Sequence, residues 1–150
     1  VDAVIHRQSV IHSLVEFRDG ALLAQLGTPD MKLPIRYAMT WPERAVSPED
    51  PLDLLKCGAL TFDAIDETAF RCFALARQCA KEGGTACATL NAANEEAVWA
   101  FLRGETGFNG IHRTVETALD RVTVKYRPSL ADILEADRLA RETARAVLSR

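Results

Sequence analysis

Near Glu67 the apolar residues change their period, and that change limits what each part of the chain can fold into. Before it, Val10-Ile11-His12-Ser13-Leu14-Val15-Glu16-Phe17 is rich in β-branched and aromatic residues, which suit a pleated, half-buried surface. Asp19-Gly20 follows, and that dipeptide supplies the positive φ angles of a two-residue hairpin. Ala21 to Leu26 runs back as a mostly apolar partner strand and stops at Gly27. Val1 to His6 reads as the end of a strand that enters a turn at His6–Ser9.

After Glu67, apolar residues recur at i, i+3, i+4 and i+7, the spacing of a helix face. Ala69, Cys72, Phe73, Ala76, Cys79 and Ala80 form a first stripe, ended by Gly83-Gly84. Leu90, Ala93, Asn94, Ala97, Val98, Phe101 and Leu102 form a second, which ends at Gly104. Ile111, Val115, Ala118, Leu119 and Val122 make a third. Pro128-Ser129 restarts the chain, and Ser129 with Asp132 fits a helix N-cap pair. Ile133, Ala136, Ala140, Ala144 and Val147 complete a fourth stripe. Four amphipathic helices with short connections predict a small bundle.

Between the two patterns, Pro29 to Met39 reads as a short helix with Pro34 in its first turn, where proline is tolerated. Residues 42–66 have linker composition, with Pro42, Pro48 and Pro51 among acidic side chains. The expected class is α+β. Its parts are a hairpin and short helix over residues 1–41, an extended linker over 42–66, and a C-terminal four-helix bundle over 67–150.

Composition narrows the function classes. With 150 residues, 48% hydrophobic and 26% charged, the chain can bury a core and is not of disordered type. A formal net charge of −3 offers no bulk attraction for nucleic acid or a membrane surface. No apolar run approaches spanning length. The opening Val-Asp-Ala-Val-Ile has no initiator methionine and no signal-peptide pattern, which predicts a piece of a longer protein. Cys57, Cys72, Cys79 and Cys87 lack CxxC or zinc-ribbon spacing and read as small buried hydrophobes in a reducing compartment, with a disulfide or metal site as the alternative.

His-Arg-Gln-Ser-Val-Ile-His-Ser at 6–13, Asp19-Gly20, and Ala-Gln-Leu-Gly-Thr-Pro-Asp-Met at 24–31 carry a specific likeness. Met39-Thr-Trp-Pro42, Ala59-Leu-Thr-Phe62 and Leu90-Asn-Ala-Ala-Asn-Glu95 continue it in order. Together they resemble the C-terminal part of the 1-deoxy-D-xylulose 5-phosphate reductoisomerase family, which usually carries proline where this chain has Arg7. The resemblance implies that residues 1–41 end an α/β catalytic domain. It also implies an oxidoreductase that uses NADPH with Mg²⁺ or Mn²⁺ to convert 1-deoxy-D-xylulose 5-phosphate to 2-C-methyl-D-erythritol 4-phosphate in non-mevalonate isoprenoid biosynthesis. A homodimer in the bacterial cytoplasm or the plastid stroma is implied by the same likeness.

By alternation alone, His12 shares a face with Leu14 and reads as a satisfied core histidine. The resemblance places it instead beside the substrate, with Ser9 near the same ligand and Pro29 and Met31 at the substrate and nicotinamide end. A hydroxyl and an imidazole can both hydrogen-bond a polyol phosphate, and a proline and a methionine can keep water from a hydride transfer. No residue here is assigned a catalytic role.

Asn91, Asn94, Glu95 and Glu96 read as structural, His112 as exposed, and Glu135, Asp137, Arg138, Arg141, Glu142 and Arg145 as a solvated charged face. No G-x-G-x-x-G follows a strand, and no carboxylate cluster suits a divalent ion. The resemblance puts both in domains upstream, so the chain is expected to bind neither cofactor nor metal, and to partner a small sugar phosphate and those upstream domains. The competing reading is a non-enzymatic helical interaction module of the same ancestry. An upstream nucleotide-binding domain and carboxylate metal site would favour the enzyme.

Overall fold

The alternating stretch pairs on itself: β1 (Ile11–Glu16) runs antiparallel to β2 (Leu22–Leu26), with Leu14 opposite Ala24 and Val15 opposite Leu23. The connection has three residues rather than two. Phe17 N–H donates to Ala21 O at 2.9 Å, and Gly20 takes φ 85°, the glycine position of a three-residue hairpin loop. The register slips between Ile11 and Ser13, so His12 is an extra residue without a cross-strand partner. Val10 is buried, whereas Leu14, Val15, Phe17, Leu22 and Leu23 are exposed.

The computed structural model describes residues 2–149, with α+β content: two strands and six helices among those residues. It has two compact units, one ending at Ile65 and the other beginning at Asp66. In the first, α1 (Lys32–Thr40) starts where the Asp30 carboxylate accepts Lys32 N–H at 2.8 Å, with Pro34 in its first turn. It ends before a cis Trp41–Pro42 bond. Residues 42–65 belong to this first unit. They include α2 (Leu54–Cys57), capped by Asp53, and then return so that Ile5 and Asp63 exchange two backbone hydrogen bonds of 2.9 Å.

The second unit holds α3 (Arg71–Glu82), α4 (Ala86–Leu102), α5 (Phe108–Arg121) and α6 (Leu130–Leu148). Helix α4 packs against the other three, and small residues let it do so. Ala92, Ala93, Ala97 and Ala100 of α4 are fully buried, as are Ala140 and Ala144 of α6. Leu75, Val115 and Ala118 fill the space beside Ala93 and Ala144. The expected stripe of α4 is therefore shifted: Thr89 and Ala100 are inside, and Leu102 is 65% exposed. In α3 the buried pair is Leu75 and Cys79. Alanine buries little apolar area, and charge reinforces the seam at its edge. Arg145 reaches Glu96 at 2.7 Å, and Arg141 reaches Glu95 at 2.7 Å and Glu96 at 3.4 Å. Arg145 first, and Arg141 after it, hold the Glu96 carboxyl below its ordinary range.

Ser129 and Asp132 form a full capping box on α6. The Lys125 ammonium, then the Ser129 N–H and hydroxyl, hold Asp132 down to about 2 from an ordinary 3.8. A depressed carboxyl stabilises the fold above its unfolded value and loses that contribution as pH falls through the folded one. Asp132→Asn is therefore expected to lower Tm most above pH 3.8, with the gap from the parent closing as pH falls towards about 2. Thermal melts across that range decide it, and a gap independent of pH would refute the assignment.

Candidate functional site

The hairpin register brings two separated stretches to one end of the sheet. Ile11 lies opposite Leu26, and Gly27 N–H donates to Val10 O at 3.0 Å. The turn His6–Ser9 with His12 thus stands beside the loop Gly27–Met31, at the end away from Asp19-Gly20. Ser9, His12, Pro29 and Met31 are all exposed there. His12 makes no hydrogen bond or ion pair among the described residues, so the satisfied-core reading of that imidazole does not hold. The register slip between Ile11 and Ser13 interrupts the regular pairing at His12. Bulges of this kind re-aim a side chain and recur next to active sites.

Ser9 takes φ 51°, a conformation that non-glycine residues adopt only when their surroundings impose it. Ser9 N–H closes the turn on His6 O at 3.1 Å. Three consecutive side chains then grip residues 61–63. His6 donates from Nδ1 to Thr61 O at 2.8 Å, which fixes the tautomer, and its ring stacks on Phe62 at 4.8 Å. Arg7 Nε reaches Asp63 at 3.4 Å. Gln8 Oε1 accepts Thr61 N–H at 3.2 Å, while Gln8 Nε2 donates to Thr61 Oγ1 at 2.9 Å.

The loop Gly27–Met31 is held from the side of α1. Asp30 accepts Lys32 N–H and pairs with its ammonium at 3.1 Å; the amide first and then the ammonium hold its carboxyl below the usual range. Glu49 pairs with Arg36 at 3.3 Å and is bonded by the Ser47 hydroxyl, which leads the causes that lower its carboxyl. A groove of about 440 Å³ lies between these groups, lined by Gly27, Thr28, Asp30, Leu33, Ser47 and Glu49 among others.

Elsewhere, several polar residues singled out in the sequence bond within the helical unit. Asn91 donates to Glu95, and the Glu95–Glu96 pair bonds α6 rather than facing a site. His112 is only 29% exposed at its side chain, not on the surface as expected. It lies 3.7 Å from Glu116, whose carboxyl is lowered chiefly by Arg71 at 2.7 Å. The four cysteines are free; Cys79 is buried and Cys87 exposed, so the buried reading fails for Cys87. Among the described residues no three His, Cys, Asp or Glu side chains gather where a metal ion could bind. No helix among them is long and apolar enough to cross a membrane.

The DXP reductoisomerase C-terminal domain family matches residues 26–143. The chain is 52% identical over 145 residues to the 1-deoxy-D-xylulose 5-phosphate reductoisomerase of Synechococcus sp. (strain JA-2-3B'a(2-13)), covering 96% of this chain and 37% of that protein. To that of Pseudomonas paraeruginosa (strain DSM 24068 / PA7) it is 51% identical over 150 residues, covering 100% and 38%. Among solved structures, the reductoisomerase from Zymomonas mobilis in complex with NADPH matches with TM-score 0.89 and 43% identity, over 98% of this chain and 39% of that one. A reductoisomerase in complex with NADPH, fosmidomycin and magnesium matches with TM-score 0.89 and 44% identity, over 97% and 38%. The chain spans less than two fifths of the length of these relatives. Residues at both ends of the hairpin and along all four long helices fall within these matches, and the chain belongs to the 1-deoxy-D-xylulose 5-phosphate reductoisomerase family, as its C-terminal part.

Proposed function

We propose that the chain forms one wall of the active site of an NADPH-dependent reductoisomerase that converts 1-deoxy-D-xylulose 5-phosphate to 2-C-methyl-D-erythritol 4-phosphate. The observation that supports this reading is the hairpin register, which collects Ser9, His12, Pro29 and Met31 at one end of the sheet. Ser9 Oγ and the His12 imidazole bind hydroxyls of the sugar phosphate and orient it. Pro29 and Met31 cover the reacting carbon and exclude water. Among the described residues no three His, Cys, Asp or Glu side chains gather at one point, and the sequence has no glycine-rich phosphate loop after either strand. NADPH and Mg²⁺ or Mn²⁺, present in solved relatives as NADPH and magnesium, belong to the upstream domains.

In this reading residues 1–41 end the catalytic domain, 42–66 join it to the long helices, and 67–150 are an appended four-helix bundle. The complete enzyme is a homodimer in the bacterial cytoplasm or a plastid stroma, and partners neither nucleic acid nor membrane. The interaction-module alternative has no observation in its favour.

The test uses the chain by itself. Purified residues 1–150 should neither oxidise NADPH with 1-deoxy-D-xylulose 5-phosphate and magnesium present, nor release heat on titration with NADPH. One polypeptide that adds the upstream domains should do both. Turnover by the 150 residues alone would sink the one-wall reading.

A further inference from the structure

We infer that Gln8 and Thr61 are positioning residues for Ser9: together they hold the serine in the conformation that presents its hydroxyl to the substrate. The inference rests on the reading of Ser9 as a substrate contact. Its physical basis is the positive φ of Ser9, which an L-residue leaves unless neighbouring contacts forbid it. The turn's own closure supplies one bond, Ser9 N–H to His6 O. That single bond does not fix the tip, because Arg7 and Gln8 lie between the two residues it joins.

The tip is fixed from outside. Gln8 presents a carboxamide to Thr61 in which acceptor and donor are both used, Oε1 by the Thr61 amide and Nε2 on the Thr61 hydroxyl. A primary amide carries its donor and acceptor on separate atoms and so can do both at once. Thr61 cannot drift in response, since its carbonyl takes the His6 Nδ1–H, Phe62 stacks on the His6 ring, and Asp63 is bridged to Ile5. Gln8 is thus clamped immediately before the residue that must stay at positive φ. Removing the clamp frees Ser9 to relax to negative φ, which swings its hydroxyl away.

Neither Gln8 nor Thr61 touches the reacting atoms in this account, so their variants should act only through Ser9. In a complete reductoisomerase carrying this chain, Gln8→Ala should raise KM for the sugar phosphate about tenfold while kcat stays within about twofold, the pattern of lost ground-state binding. Thr61→Val, which removes only the hydroxyl, should raise KM less, and Thr61→Ser should match the parent. If Gln8→Ala fails to fold, Thr61→Val carries the same test.

A double-mutant cycle separates positioning from general support. Adding Gln8→Ala to Ser9→Ala should raise KM no further than Ser9→Ala alone. Fully additive effects would overturn the inference, as would a normal KM for Gln8→Ala beside a raised KM for Ser9→Ala. A normal KM for Ser9→Ala itself would refute the substrate contact, and the positioning role with it.

Discussion

Replacing His12 by alanine in a complete reductoisomerase that contains this chain should lower kcat/KM for the sugar phosphate by about ten- to a thousandfold. The imidazole is exposed, sits on the bulge of β1 and bonds to nothing among the described residues. Exposed substitutions of that kind change stability by about 0.5 kcal/mol or less, so Tm should barely move while activity collapses. His6→Ala is the contrasting variant. It removes the bond to Thr61 O and the stacking on Phe62, and should loosen the turn as well as weaken turnover. Steady-state kinetics and melts on the same preparations distinguish the two. Unchanged kcat and KM for His12→Ala would remove it from the proposed site.

Gly84→Ala should cost the helical unit far more than the same change at Gly104. Gly84 has φ 58°, and a Cβ there would sit 2.5 Å from Lys125 O. That carbonyl cannot step aside cheaply, because it accepts Thr85 N–H at 3.1 Å while Lys125 N–H donates to the buried Thr85 hydroxyl at 3.0 Å. Strain at positive φ costs about 1 kcal/mol, and a broken buried hydrogen bond adds about 1–3 kcal/mol. Gly104→Ala is the reference, with φ 75° and open space around the added methyl. Denaturant unfolding followed by helical circular dichroism should put Gly84→Ala at least about 2 kcal/mol below Gly104→Ala. Equal costs would show that the Lys125 carbonyl yields. If residues 67–150 are a separate domain, amide resonances of the hairpin should not shift in either variant.

The elements most legible in the sequence were those set by neighbours in the chain. The hairpin position, the helix ends at Gly83 and Gly104, and the Ser129–Asp132 cap all arise from local chemistry. The α4 face was less legible: a helix packed against three others selects for small residues, and Thr85, Thr89 and Thr114, outside the apolar stripes, are each buried. The ion pairs of Arg141 and Arg145 looked like a solvated face because their partners sit 45 to 49 positions away. The three-residue hairpin loop and the bulge at His12 left no mark in the alternation. At the candidate site, the residue types came from the family likeness. The strained Ser9 and its grip by Thr61 were invisible, since periodicity carries no signal for contacts so distant in sequence.

That distance also bears on how the turn comes into being. Most bonds of the helical unit join residues one turn apart and can form as soon as a helix nucleates. The bonds that shape the His6–Ser9 turn span 53 to 56 positions, and closing such a loop carries an entropy that must be met before any of them stabilises the chain. When the full chain refolds, the geometry around Ser9 should therefore form later than the individual helices. Until residues 61–63 have returned to Ile5, the polypeptide can form its separate helices and still present no ordered serine to a substrate.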